Sequence, residues 1–218
     1  MEKAKEKDPI RLLDVGTSDY ESVWAQQKQL VDEIKGGNAS DALIFVEHAA
    51  VYTYGRKSAL PTIENAKTIA VERGGEATYH NPGQLVCYPI LYLEGKERDV
   101  HLHLRRLEST IIDLLEDWEL EGERREGATG VWLKGREKKI ASIGIAVSGW
   151  VTYHGSALNV NNDLSGFKRI NPCGFSGEVM TSLKEELGDR CPDMATVKRS
   201  FLKHFSTNFR RSSSFCYN

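Results

Sequence analysis

Ile170-Asn171-Pro172-Cys173-Gly174-Phe175 holds a thiol between a proline that fixes φ and a glycine that leaves the sulfur and the next amide unhindered. A thiol presented in this way can attack a carbonyl carbon and carry the acyl group as a thioester. The competing reading is a small apolar residue in a loop, the commoner role for a lone cysteine. A nucleophile also needs an activator, because a free cysteine of pKa ~8.5 is only about 3% thiolate at neutral pH. Lowering that pKa by two units takes ~2.7 kcal/mol. A lysine ammonium ~4 Å from the sulfur supplies about 4 kcal/mol at an effective dielectric near 20, so one well-placed lysine suffices. Lys139, at the head of Lys139-Ile140-Ala141-Ser142-Ile143-Gly144, is a candidate; the alternative is a solvated hairpin charge beside Lys138.

Two further segments suit a ligand. Arg73-Gly74-Gly75-Glu76-Ala77-Thr78-Tyr79-His80-Asn81-Pro82-Gly83-Gln84 reads as a binding loop, in which glycines let backbone amides approach a ligand and Arg73 and His80 add polar groups. It matches neither a phosphate-binding loop nor a dinucleotide fingerprint, and an ordinary glycine-rich turn is the alternative. His154-Gly155-Ser156-Ala157-Leu158-Asn159 places a histidine among side chains small enough to leave room beside a sheet, or to allow close strand packing. His101 and His103 do not share a helical face, so they make no metal pair. His48 and His204 have no evident partner. Of the remaining cysteines, Cys87 reads as core, Cys191 and Cys216 as incidental, and the absence of a Cys-x-x-Cys pair argues against zinc-ribbon and thioredoxin chemistry.

The elements that must position these residues are mixed. Apolar spacing from Tyr20 to Ile34 behind Ser18 predicts a helix over 19–35, and Asp99 to Trp118 a second. Asp41–Glu47, Val51–Tyr54 and Leu85–Leu93 read as strands, with no evident parallel βαβ order. Gly130–Leu133, Lys139–Val147 and Val151–Val160, separated by turns at 134–138 and 148–150, read as an antiparallel meander. Met180–Leu187 and Met194–Phe209 read as helices, and the Ser-rich end from Arg210 as frayed.

Composition narrows the field. In a chain of 218 residues, 40% hydrophobic and 28% charged content predicts one globular domain, and a net charge of -2 argues against a protein devoted to gripping nucleic acid or anionic membrane. Met1 to Asp8 alternates charges without an apolar run, and no later segment is apolar enough to span a bilayer, so the expected location is cytoplasmic.

Read together, Tyr20, Trp24 and Gln27, Val46-Glu47-His48, Val51 to Arg56, Arg73 to Gln84, Lys139 to Gly144, His154 to Val160 and Ile170 to Gly174 resemble the lipoyl(octanoyl) transferase family across most of the chain. The resemblance implies transfer of an octanoyl or lipoyl group from acyl carrier protein to a specific lysine of lipoyl domains, the first step of endogenous protein lipoylation. The acceptors would be lipoyl domains of 2-oxoacid dehydrogenases or the glycine cleavage H protein, with no nucleic acid, membrane, metal or cofactor required. Cys173 would form the acyl-thioester and Lys139 would lower its pKa. The implied substrate pocket comprises Arg73, Gly74, Gly75, Glu76, Ala77, Thr78, Tyr79 and His80, then Ser142, Ile143 and Gly144, then Gly155, Ser156 and Ala157. The implied fold is α+β, a mixed and mainly antiparallel sheet flanked by helices, like that of biotin and lipoate protein ligases and of the class II aminoacyl-tRNA synthetase type. One catalytic domain over 1–218 is expected, with flexible ends at 1–9 and 210–218.

Three positions depart from the family pattern: Asn81 where glycine is common, Ser156 where a larger apolar residue is common, and Ala146 where a basic residue is frequent. Rival readings are an ATP-dependent ligase on the same fold, which needs no nucleophilic cysteine, and an amidotransferase between lipoyl domains, which also uses one. A non-catalytic binder of acidic partners is another, with Lys134, Arg136, Lys138 and Lys139 as its docking edge.

Overall fold

A computed structural model of the chain describes residues 9–58, 63–170, 176–211 and 216–217, the last pair by backbone alone. The Asn171–Phe175 block with Cys173, and residues 1–8 of the expected flexible end, lie outside the described residues. In chain order the elements are β1 (Arg11–Ser18), α1 (Tyr20–Lys35), β2 (Ala42–His48), β3 (Val51–Tyr54), β4 (Thr68–Ala70), β5 (Ala77–His80), β6 (Gln84–Ile90) and α2 (Val100–Glu116). They continue as β7 (Gly122–Glu123), β8 (Val131–Leu133), β9 (Lys139–Ser148), β10 (Val151–Asn159), α3 (Leu183–Leu187), α4 (Met194–Phe209) and β11 (Cys216–Tyr217).

The apolar run of β2 follows from burial on both faces. Ala42, Ile44 and Val46 pack with Val23, Leu30, Val31 and Ile34 of α1. The alternate residues Leu43 and Phe45 pack with Leu107, Ile111 and Leu114 of α2 and Phe201 and Phe205 of α4. β6 repeats the pattern, Val86, Tyr88 and Ile90 facing α1 and Leu85 and Cys87 facing the α2–α4 layer. Cys87 is thus core, as expected. These strands lie in an eight-stranded sheet of order β11-β1-β2-β6-β10-β9-β8-β7, with a smaller sheet β4-β3-β5. The meander β8-β9-β10 is antiparallel, as its spacing predicts, and so are β2–β6, β6–β10 and β7–β8.

Several expectations need correction. β1, unforeseen, pairs parallel with β2, so β1-α1-β2 is the parallel crossover that the sequence did not suggest. Its pattern was hidden by Asp14 and by Gly16 at φ +60°, around which the register shifts. Asp19, not Ser18, caps α1, its carboxylate accepting from Ser22 N at 3.0 Å, while Ser18 ends β1. The end expected to fray returns to the sheet: Cys216–Tyr217 pairs parallel with Arg11 and Leu12, and Arg211 meets Asp41 at 2.7 Å. The loop expected over 73–84 contains strand β5, paired antiparallel with β3. α3 begins at Leu183 rather than Met180, because Ser182 caps it and Met180 instead bridges to Lys139. Asp99 and Asp193 cap α2 and α4 near the predicted starts.

Phe45 is 1% exposed, and its ring meets Phe201 edge-on at 5.6 Å, joining sheet to α4. Phe45→Ala is expected to lower unfolding free energy by about 3–5 kcal/mol in denaturant titration.

Candidate functional site

The small residues of β9 and β10 meet across the strand pair, Gly155 opposite Gly144 and Ala157 opposite Ser142. On the α1 side of the sheet they leave a slot, because the side chains that would fill it are missing. A Cβ on Gly155 would overlap the Cys87 carbonyl oxygen, and one on Gly144 would stand 2.9 Å from the Gly74 carbonyl oxygen, so backbone packs directly on backbone here. The slot encloses about 460 Å³ of atom-free space, open solvent included.

Residues from four directions line it. β9 and β10 provide Ser142, Ile143, Gly144, His154, Gly155, Ser156 and Ala157; β6 provides Val86 and Tyr88; α1 provides Tyr20. The fourth wall is Arg73, Gly75, Ala77, Thr78 and His80. Gly74 N donates to Ile145 O at 2.9 Å, which ties this wall to β9. Arg73 is 8% exposed, and its guanidinium donates to Thr53 O at 2.8 Å and Thr53 Oγ1 at 3.1 Å. It is therefore a buried brace between wall and small sheet.

Eleven of the fourteen residues expected to form the pocket line this slot. Gly74 contributes through its backbone tie, the Glu76 carbonyl accepts from Gly55 N at 3.2 Å, and Tyr79 points the other way, onto Tyr52 and Phe167. Tyr20, Val86 and Tyr88 were not foreseen. Strand alternation around Cys87 contained the signal for the last two, since a core-facing Cys87 turns both neighbours to the opposite face.

Imidazoles and phenols along and behind the slot are joined by hydrogen bonds. His48 Nε2 and Tyr88 OH are 2.8 Å apart, His80 Nδ1 and Gln84 Oε1 2.7 Å, and Tyr20 OH and His154 Nδ1 3.4 Å. His48 therefore has partners that its sequence neighbourhood did not reveal, and so does His204, 3.0 Å from Asp117 Oδ2. Burial pushes His48 down to about 4. Burial together with the nearby His48 takes His80 to about 3, and burial together with Arg73 does the same to His154. Burial raises Tyr20 to about 12 and lifts Tyr88 well above its ordinary range. Near neutrality none of the five carries charge, so the 3.6 Å approach of His154 Nε2 to Glu72 is not an ion pair. His154 is also strained, at φ +57° within β10, and its N–H donates 2.8 Å to Gln27 Oε1 of α1.

Lys139 is fully buried rather than part of an exposed docking edge. Its Nζ donates 2.8 Å to Thr129 O and stands 5.5 Å from the Trp132 ring centroid. Gly130, at φ +126°, makes the room: a Cβ there would fall 2.8 Å from Lys139 Cε. Of the other proposed edge residues, Lys134 pairs with Glu121, Arg136 with Glu186, and Lys138 donates to Glu178 O. The chain emerging from 171–175 is tied to the same point, Met180 bridging to Lys139 and Thr181 N donating 2.9 Å to Lys139 O.

The departure at Asn81 has a structural reason. Asn81 Nδ2 donates 2.9 Å to Asp163 O and its Oδ1 accepts from Asn162 at 3.0 Å, fastening the β5–β6 turn to the chain that leads toward 171–175. Ala146 packs in the α1 cluster, where a basic side chain would be buried.

Residues 19–206 match the lipoyl protein ligase A/B catalytic domain. The chain is 44% identical over 200 residues to the octanoyltransferase of Syntrophotalea carbinolica, covering 91% of this chain and 93% of that one. Among solved structures, the bi-partite lipoate protein ligase of Thermoplasma acidophilum superposes with a TM-score of 0.73 at 16% identity, covering 96% of this chain and 87% of that one. The biotin protein ligase of Aquifex aeolicus superposes with a TM-score of 0.53 at 18% identity, covering 94% and 69%. The expected fold, a mixed and mainly antiparallel sheet with flanking helices, is the one observed.

The depressed histidines fix the sign of a pH effect. Their unfolded pKa is near 6.5, so below that the unfolded chain binds protons the folded chain refuses, and stability falls as pH drops toward the folded values near 3 and 4. Between pH 6.5 and 4.5, before most carboxylates titrate, unfolding free energy is expected to fall by up to about 1.4 kcal/mol per pH unit per histidine. Denaturant titrations at each pH would measure it, and His48→Gln would flatten the slope.

Proposed function

From the fact that this chain belongs to the octanoyltransferases, within the lipoyl protein ligase A/B catalytic-domain family, we propose a two-step acyl transfer through Cys173. The chain is an acyltransferase that moves an octanoyl group in protein lipoylation. In the first step the Cys173 thiolate attacks the thioester carbonyl carbon of octanoyl-acyl carrier protein. The new C–S bond forms, the old one breaks, and the pantetheine thiolate leaves with a proton from the Lys139 ammonium. In the second step the neutral amine of a lipoyl-domain lysine attacks the Cys173 thioester. A C–N bond replaces the C–S bond, the amine's proton passes to Lys139, and the thiolate and ammonium are restored.

The observation that carries this reading is the burial of Lys139. An ammonium with no exposed surface is costly to keep unless it has partners or a task, and a solvated surface charge is excluded as an explanation. The chain leaving 171–175 is hydrogen-bonded to the backbone of this same residue, which favours Lys139 as the activator of Cys173. The slot supports the substrate assignment: its mostly small or apolar walls suit an unbranched acyl chain, and its neutral imidazoles introduce no charge. The reading assigns acyl binding to Arg73 to His80, Ser142 to Gly144 and Gly155 to Ala157. Lipoyl domains of 2-oxoacid dehydrogenases or the glycine cleavage H protein are the acceptors. It also includes a cytoplasmic location; among the described residues no helix is long and apolar enough to cross a membrane.

Incubation with octanoyl-acyl carrier protein is expected to add one hydroxylamine-labile octanoyl group to the Cys173 peptide, seen by mass spectrometry, and none in Cys173→Ala. Lys139→Met should slow acylation by roughly 10²–10⁴-fold. A labile adduct in Cys173→Ala, or turnover from free octanoate and ATP, would overturn the proposal.

A further inference from the structure

Glu108 sits in the middle of α2, among Leu107, Ile111 and Leu115, with 2% of its surface exposed. A carboxylate in such a place is a poor device for stability, because desolvation offsets much of what its partners return. Its two oxygens are divided between tasks. Oε2 receives Arg105 Nη1 at 2.8 Å and Arg124 Nε at 3.1 Å. Oε1 is left to accept the backbone N–H of Gly130 at 3.3 Å.

That N–H belongs to the turn that holds Lys139. Thr129 O accepts from Lys139 Nζ, and the peptide that carries this carbonyl also carries the Gly130 N–H, so the two groups are opposite ends of one planar unit. Rotating that unit swings donor and acceptor together. Trp132 Nε1 holds the preceding carbonyl, Ala128 O, at 3.1 Å, but does not set the plane of the next peptide. Gly130, with no Cβ and at φ +126°, offers little torsional resistance of its own.

We propose that Glu108 is a positioning residue for Lys139: by accepting the Gly130 N–H it fixes the plane of the Thr129–Gly130 peptide and so aims the carbonyl that orients the ammonium. Arg105 and Arg124 hold the carboxylate and leave one oxygen for this task. The inference rests on Lys139 being the activator of Cys173, and the effect of Glu108 on the thiol passes through Lys139.

Two conservative variants separate position from charge. Glu108→Asp keeps the charge facing the arginines but withdraws the oxygen from Gly130; Glu108→Gln loses the charge but keeps a carbonyl oxygen within reach. The rate of iodoacetamide alkylation of Cys173, followed by mass spectrometry of its peptide against pH, reports the thiol's titration midpoint in full-length wild type, Lys139→Met and both variants. Glu108→Asp is expected to raise the midpoint by about one pH unit, a tenfold loss of thiolate near neutrality. Its kcat should fall with KM for octanoyl-acyl carrier protein nearly unchanged. Glu108→Gln should keep the wild-type midpoint while its thermal midpoint drops, since the arginines lose their counter-charge. A wild-type midpoint in folded Glu108→Asp, or an equal rise in Glu108→Gln, overturns the inference. No rise in Lys139→Met would instead overturn the role of Lys139 itself.

Discussion

The ammonium of Lys139 lies beneath α2 with no exposed surface, bonded to a backbone carbonyl and beside the Trp132 ring. Removing a cation from water costs several kcal/mol unless hydrogen bonds and nearby charge offset it. Much of the local architecture answers to that demand. Gly130 surrenders its side chain to make space, β8 and β9 change register between Val131 and Trp132, and Met180 forgoes helix to pair with the strand that Lys139 begins. Each would be an unexplained irregularity in a sheet built for stability alone. Together they fix the place of a buried lysine to whose backbone Met180 and Thr181 are tied.

The slot on the α1 side follows a different logic. Two imidazoles and two phenols line it, His80, His154, Tyr20 and Tyr88, and burial keeps all four neutral, so Arg73 is the charged side chain of its wall. The Arg73 guanidinium is bonded to Thr53 and to the Gly74 carbonyl, so it serves as a brace in the slot wall. Small residues on β9 and β10 set the bore because side chains on paired strands stand directly opposite one another. Widening or narrowing the slot is therefore a matter of single positions, Ser156 and Ala157 among them.

Between the two regions runs a structural link. Asn81 fastens the wall of the slot to the chain after β10, and that chain leads through 171–175 to the Met180 bridge at Lys139. The strained backbone of His154 is held by Gln27, so the position of α1 also reaches the slot. Slot and buried lysine are thus parts of one fastened framework.

Local pattern was enough for α2, α4, β3 and the β8–β10 meander, since a 3.6-residue stripe, an Asp cap and a two-residue alternation are properties of neighbouring residues. It was enough also for most of the slot, because small residues in strands advertise space whatever fills it. It failed at β1, where Asp14 and Gly16 broke the alternation across a bulge, and at β11, whose pairing with β1 joins opposite ends of the chain. Whether Lys139 was a solvated hairpin charge or a buried ammonium lay beyond spacing altogether, for its burial depends on the 129–132 segment and on Met180 and Thr181 closing around it. The same holds for the neutral histidines and for Glu108, whose partner Gly130 is a backbone N–H and leaves no mark in residue type. The amino-acid sequence by itself determined which groups could react and which strands could make room; tertiary structure decided which of them lost their water, because desolvation comes from residues distant in the chain.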